Sequence, residues 1–338
     1  MSPAIPRCRL ARNWAPVAVA LTLLLAAAVP ATAQTSDTDN NDACPTWFPD
    51  FRCDRQGRYE GFVVPVTMPY LFEDPFITTG VQLIGIWHDL PEESVFDGGD
   101  AYVLALQARI AITDRLAFIA TKDGATWLRP GLSLLDDEDG IMDVTVGFKY
   151  ALIDRPEDKF ILSPHIRYEI PLGDEDLFQG QGDGVLIPGI SAGWGLGDLR
   201  MLGDVGMQIP FDAGKNSTSI FYNLHVAYVA ADHFVPFVEL NGMHWTDSGD
   251  GSSIVETNIG DIPVGLATSV LGNAPFEGGD VANLGNVGVK HNNLITMGFG
   301  ARVPFSNHWS LGAAWEIPVT GRKDIFEQRV TTSLTFDF

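Results

Sequence analysis

Basic side chains are few in this chain: 21 Lys and Arg stand against 43 Asp and Glu in 338 residues, a net charge of −22. A phosphate-binding surface needs a basic face, so this balance excludes nucleic acid as a partner. Cysteine is scarce as well, with three copies. Cys8 lies in the first 33 residues, which leaves Cys44 and Cys53 in the segment CPTWFPDFRC. No His or further Cys accompanies that pair, so a zinc site is disfavoured and a disulfide is expected in an oxidising compartment. Beyond residue 33 no run approaches 18 apolar residues, which excludes a membrane-spanning helix there. His-Glu-x-x-His, a Walker loop and a dinucleotide fingerprint are all missing, so the sequence calls for no cofactor and no metal. Charged residues at 19% against 46% hydrophobic ones exclude wholesale disorder.

Residues 1–33 read as a secretory signal. Arg7, Arg9 and Arg12 precede the apolar stretch 15–29, and Ala31-Thr32-Ala33 is a small-x-small cleavage site. That stretch is shorter than the ~20 residues a bilayer-spanning helix needs. The expected organisation is a signal at 1–33, a periplasmic segment at 34–76 and a membrane domain at 77–338.

From about residue 78 the dominant pattern is period two. Val144, Val146, Phe148 and Tyr150 alternate with Asp143, Thr145, Gly147 and Lys149; Val330, Thr332, Leu334 and Phe336 alternate with Arg329, Thr331, Ser333 and Thr335. Successive strand side chains point to opposite faces, so each segment has an apolar face and a polar face. Twelve such segments are read, at 78–90, 101–112, 116–128, 141–152, 160–172, 185–195, 199–211, 218–230, 234–246, 293–304, 309–319 and 327–338. They exceed the ~5–6 residues of a soluble strand and match a tilted membrane strand. The connections alternate between tight turns, several opened by Asp or Asn, and long acidic loops. The expected fold is an all-β, antiparallel up-and-down transmembrane barrel with short periplasmic turns and long extracellular loops. Pro164, Pro188 and Pro236 fall inside assigned strands, where a bulge or a missing ladder bond is expected.

With the apolar faces on lipid, aromatic girdles are expected from Tyr150, Phe160, Trp194, Trp309, Phe336 and Phe338 at the turn side, and from Trp87, Tyr102, Phe211, Trp245 and Trp315 at the loop side. The polar faces line the lumen. Arg109, Lys149, Arg167, Arg200, Arg302 and Arg329 point inward together with Asp143, Glu169, Asp204, Glu239, Glu316, Glu327 and Asp337; His165, Gln208 and His225 share those faces. Their charges nearly balance, so these groups either pair into a solid structural barrel or line a wet pore. Gly206, Gly298, Gly300 and Gly312 on inward faces are expected to leave room for a channel. Residues 34–76 either plug the lumen or remain a tether, and the loop 247–292 either constricts the mouth or covers the outer rim. Asp136–Asp139 and Asp174–Asp176 are read as divalent-cation or cation-concentrating runs, or as a solvated surface. Gly189-Ile190-Ser191-Ala192-Gly193 matches a nucleophile elbow, with His165, His225 and Asp204 as conceivable partners for Ser191, but no helix follows it. No enzyme is expected.

The turns Asp114-Arg115 and Asp154-Arg155, the segments Ile119-Ala-Thr-Lys-Asp-Gly, Lys149-Tyr-Ala-Leu-Ile-Asp and Tyr168-Glu-Ile-Pro, and the terminal Phe338 resemble a group of bacterial outer-membrane β-barrels. The chain is also similar in organisation to the meta-pathway phenol-degradation outer-membrane proteins. Phe338 resembles the terminal signal recognised in barrel assembly. The resemblance implies an outer-membrane location, with lipid, lipopolysaccharide and the barrel-assembly machinery as partners. It also implies porin-like passive uptake of small solutes, hydrophobic or cationic; the alternatives are a non-conducting structural or adhesive barrel and, more remotely, a hydrolase.

Overall fold

The computed structural model describes residues 58–338 except 232, 256, 258–259, 272–275 and 307. The signal at 1–33 and the Cys44–Cys53 pair lie outside the described residues. The strands are β1 (Gly80–Asp89), β2 (Gly99–Ala111), β3 (Leu116–Lys122), β4 (Ala125–Pro130), β5 (Glu138–Ile141), β6 (Val144–Tyr150), β7 (Ile153–Arg155), β8 (Phe160–Ile170), β9 (Val185–Leu196), β10 (Leu199–Pro210), β11 (Thr218–Tyr228), β12 (Val235–Asp247), β13 (Ile254–Val255), β14 (Ile262–Pro263), β15 (Asn293–Pro304), β16 (Trp309–Pro318) and β17 (Gln328–Asp337). One short helix, α1 (Val264–Leu271), lies in the long loop, where alternation gives no hint of it.

Each wall strand pairs antiparallel with its sequence neighbours, and β1 pairs with both β2 and β17, which closes the sheet into a barrel. Strand β2 pairs with β3 at Ala108–Ala111 and with β4 at Gly99–Leu104, so β3 and β4 are two halves of one wall strand. Likewise β5 and β6 pair with β4 and β3 in turn. The circumference is therefore twelve strands. The break between β3 and β4 falls at Gly124, whose φ of +136° suits only glycine and whose Cβ would lie 3.1 Å from the Leu104 carbonyl. Asp123 caps the break by accepting the Leu106 N–H at 2.8 Å.

Two bulges shift the register, between Ala120 and Lys122 and between Thr218 and Ser219. The three strand prolines do not. Pro164 faces Ile190, Pro188 faces Ile166 and Pro236 faces Ala301 in continuous register on one side. On the other side the ladder lapses. Pairing of β9 with β10 stops at Gly206–Gly189 and resumes at Ile209–Leu186 in the same register, around Pro188. Pro164 sits where the partner of β8 changes from β6 to β7. A missing donor is thus absorbed by a gap, without a bulge.

Alternation places Leu104, Leu106, Ile166, Val205, Leu224 and Phe299 on an exposed apolar exterior. A patch this extensive is not tolerated on a monomer in water, so hydrocarbon is its solvent. Tyr150, Trp194 and Trp309 are exposed near the short-turn rim, and Tyr102, Phe211 and Trp315 near the long-loop rim. Trp245 departs from the expected girdle. It shares the odd parity of Glu239 and is buried inside the mouth, with the Arg322 guanidinium 4.8 Å above its ring. Trp87 is covered too, its Nε1–H donating to Asp100 at 2.8 Å.

A cation on the exterior meets lipid. Leu104→Arg or Leu106→Arg is expected to cost about 2–4 kcal/mol in urea unfolding from vesicles, falling toward zero for substitutions at the rims.

Candidate functional site: the barrel interior

The interior is filled by residues 58–79, which enter and leave at the short-turn rim. Arg58 and the Tyr59 hydroxyl both donate to Asp154 at 2.6 Å. Arg200 Nε donates to the Glu60 carbonyl at 3.0 Å. Gly61, at φ +78°, makes the turn beside it, where a Cβ would lie 3.0 Å from the Arg200 guanidinium. The chain then climbs to Met68, whose φ of +48° and carbonyl, bonded by the Leu71 and Phe72 N–H groups, reverse it. It returns past Pro75 to Thr79, whose carbonyl receives the Phe338 N–H at 2.9 Å.

Among the described residues this hairpin has no sheet partner, so its backbone groups need partners from the wall. Pro65, Pro69 and Pro75 remove three donors at the outset. Glu239 accepts the N–H groups of Val66 at 3.0 Å and Thr67 at 2.7 Å, and the Thr67 hydroxyl as well. Gln107 donates to the Pro69 carbonyl at 2.7 Å, and Arg167 to those of Tyr70 at 2.9 Å and Leu71 at 3.0 Å. The Ser163 hydroxyl donates to Pro75 at 2.6 Å. Two acids of the hairpin complete wall charges. Glu73 meets Arg109 at 2.8 Å and Lys149 at 2.6 Å, while Asp74 meets Lys149 at 3.1 Å. The Glu73 N–H donates to Asp204, which also holds His165 Nε2 at 2.9 Å.

The other inward residues are likewise engaged. Glu169 pairs with Lys122 at 3.1 Å, and His225 Nδ1 with Glu239 at 2.7 Å. Gln208 accepts from Ser219 at 2.8 Å, and Arg302 donates to Ser333 at 2.7 Å and Thr335 at 2.9 Å. Asp143 accepts the Gly173 and Gly180 N–H groups, both at 2.9 Å. Glu316 and Arg329 pair at 2.6 Å. Glu327 is not among them: it precedes β17 and pairs with Lys323 at 2.6 Å outside the bore. Asp337 is only half buried, at the end of β17 opposite Gly80.

The interior glycines do not leave a channel. A Cβ on Gly298 would lie 2.6 Å from Thr67, and one on Gly312 2.9 Å from Val66, so these two make room for the hairpin. The Phe221 ring fills the space over Gly206 and the Phe237 ring that over Gly300, each 2.4 Å from a built Cβ. Ser191 is buried and its hydroxyl donates to the Ser163 carbonyl at 3.2 Å, away from His165.

Lys122, Glu73 and Asp74 were not legible as inward charges. Lys122 follows Thr121 inward because the bulge places two consecutive residues on one face. The two acids lie in a segment without periodicity, and only their adjacency to a proline-rich run marks them.

At the long-loop rim, residues 276–286 are drawn into the mouth. Asp280 pairs with Arg329 at 2.7 Å. Asp324, itself paired with Arg322 at 2.5 Å, accepts the N–H groups of Glu277 at 3.0 Å and Gly278 at 2.8 Å. The Glu277 carboxylate accepts from the N–H groups of Gly285 at 2.8 Å and Asn286 at 3.0 Å. In the acidic runs, Arg129 pairs with Asp139 at 2.5 Å, and Asp174 accepts the Ile141 N–H at 2.7 Å. Among the described residues no group of three or more His, Cys, Asp and Glu is arranged to hold a metal.

Two predictions follow from these pairings. Lys149→Met leaves two buried acids, Glu73 and Asp74, to share Arg109 alone and is expected to cost about 3–5 kcal/mol in urea unfolding, with Glu73→Gln in the same chain restoring part of it. Burial, with Asp324 adding to it, pushes the Glu277 pKa up from 4.5 to about 7 against the opposing pull of its N–H donors. The stability that a protonated Glu277 gives the packed loop is therefore complete below pH 4.5 and lost as pH rises through about 7. The loss is ~3 kcal/mol at most. Hydrogen exchange at Gly285 and Asn286, corrected for its intrinsic pH dependence, is expected to quicken across that window and to do so no longer in Glu277→Gln.

No protein-family model matches the chain, and no curated protein matches it. Solved structures that resemble it are barrels. The COG4313 outer membrane channel from Pseudomonas putida F1 superposes with a TM-score of 0.49 at 14% identity, over 82% of this chain and 100% of that one. The NanC porin gives 0.44 at 9% identity, over 76% and 98%. The translocator domain of the autotransporter NalP from Neisseria meningitidis gives 0.44 at 10%, over 79% and 90%.

Proposed function

We propose that this chain is a porin-like channel of the bacterial outer membrane that passes small solutes by diffusion, with residues 58–79 as the movable obstruction in its bore. The observation that carries the reading is what fills the bore. Wall side chains fill the bore of a barrel of about eight strands, and twelve strands enclose a wider one. Here Gly298 and Gly312 stand back from the axis, and a separate stretch of main chain occupies the space. That stretch is held by hydrogen bonds to its carbonyls and N–H groups, which water can replace one for one once it enters, together with the ion pairs of Glu73 and Asp74 and apolar contacts of Val63, Val66 and Tyr70 with the wall. With Lys122 inside and Glu327 outside, bases exceed acids on the wall, and Glu73 and Asp74 of the hairpin offset that excess while it fills the bore. The acidic loops favour cations at the mouth, and the likeness to the phenol-pathway barrels favours small hydrophobic solutes. Phe338, bonded through its N–H to Thr79, is assigned as the assembly signal read before membrane insertion.

In planar lipid bilayers the full chain is expected to give small, infrequent openings, and a variant lacking residues 58–78 a several-fold larger and steady conductance. Gly298→Val, which places methyl groups where Thr67 lies, is expected to shift the full chain toward the open state. A folded deletion variant that conducts no ions overturns the channel reading. It leaves the second one, a non-conducting structural barrel, which the ion pairs closing both rims favour.

A further inference from the structure

Strands β1, β2 and β4 meet the long loop around a cavity of ≈ 60 Å³. Its walls are almost wholly apolar. The Phe96 ring stands edge-on to Phe276 at 5.4 Å and to Phe178 at 5.5 Å, and Ala282 of the long loop closes one side. Two polar side chains interrupt this lining, His88 of β1 and Thr126 of β4. Both are buried, at 1% and 8% exposure. Among the described residues neither ring nitrogen of His88 meets a hydrogen-bond partner, nor does Oγ1 of Thr126. The contrast with the other interior histidines is direct: His165 and His225 each place one nitrogen on a carboxylate.

An unsatisfied polar group at such depth costs about 1–3 kcal/mol, so three such atoms around one cavity require an account. Water is a poor one. A buried water needs two to four polar partners, and His88 and Thr126 stand on strands separated by β2, with Ala101 and Val103 as their respective neighbours on it. A molecule with an apolar body and one polar head matches the lining better. The neutral imidazole offers one donor and one acceptor, and the threonine hydroxyl offers both, so a hydroxyl head fits either.

We propose that this cavity is a binding site for a small amphiphilic molecule, a short branched or linear alcohol with an apolar body packed on the three phenylalanines and its hydroxyl on His88 or Thr126. At ~10–15 Å³ for each water-sized sphere, the space accommodates about four to six heavy atoms. Residues 276–284 form one wall, which the bond between Asp280 and Arg329 holds against the barrel. The site goes beyond the channel reading and stands without it, because a barrel that never conducts can still bind here.

The test reads binding directly. The full chain, labelled with ¹⁵N in histidine and held in lipid nanodiscs, is titrated with isobutanol, and the ring nitrogen shifts are followed; His88→Asn identifies the resonance. A saturable shift confined to His88 is expected. Thr126→Val, which keeps shape and removes a hydroxyl, is expected to weaken binding about fivefold where that group takes the head. Ala282→Phe, which fills the cavity, is expected to abolish the shift. A linear drift common to all the histidines, as partition into lipid produces, overturns the proposal. So does saturable binding that survives in Ala282→Phe. Should that variant not fold, saturability at His88 in the parent chain and in Thr126→Val decides the matter alone.

Discussion

The constraint on which the rest depends is that hydrocarbon outside a closed barrel leaves its charges only one direction to face, and once inside they need partners. The wall does not satisfy this alone. Arg109, Lys122, Lys149 and Arg167 crowd the adjacent strands β2, β3, β6 and β8, where the nearby wall acids are Glu169 and Asp204. Glu73 and Asp74 make up the difference from outside the wall. Arg167 spends its donors on carbonyls of the same hairpin. The hairpin is therefore the counter-charge of the barrel as well as its filling. Conversely, the hairpin's main-chain groups and its apolar side chains find their partners on the wall. Each completes the other, which is why neither charge pattern makes sense when read separately.

The same logic repeats at the opposite rim with different parts. Arg329 is shared by Glu316 of the wall and Asp280 of the long loop, and Asp324 gathers the N–H groups of Glu277 and Gly278. Both ends add apolar packing: Phe96, Phe178 and Phe276 cluster at the loop rim, while Tyr59, Phe62 and Phe76 cluster at the hairpin's exit and Val63, Val66 and Tyr70 pack on the wall in mid-barrel. Loop packing thus depends on apolar contact and on the state of Glu277, and hairpin packing on apolar contact, buried ion pairs and hydrogen bonds to its main chain.

Much of this was legible in the sequence, for a physical reason. A strand that contacts lipid on one face and protein on the other must alternate, so strand limits and the inward direction of Arg109, Lys149, Arg167, Glu239 and Arg329 could be read residue by residue. Alternation fails where the backbone breaks parity. The bulge beside Thr121 hid Lys122, and Trp245 was placed outside although its odd parity with Glu239 already pointed it inward. It also fails for partners that lie off the sheet. Glu73 finds Lys149 at a separation of 76 residues and Thr67 finds Glu239 at 172, with no periodicity to announce either. Inward glycines suggested empty space, yet Gly298 and Gly312 are small because something else is close.

The hairpin's two ends share one rim: Tyr59 is fixed at Asp154 and Thr79 at Ala111 and Phe338. It is thus a bight rather than a threaded strand. A bight can be pushed into a finished cylinder, or drawn out of one, without passing any chain terminus along the axis. Its topology therefore sets no order between wall closure and lumen filling.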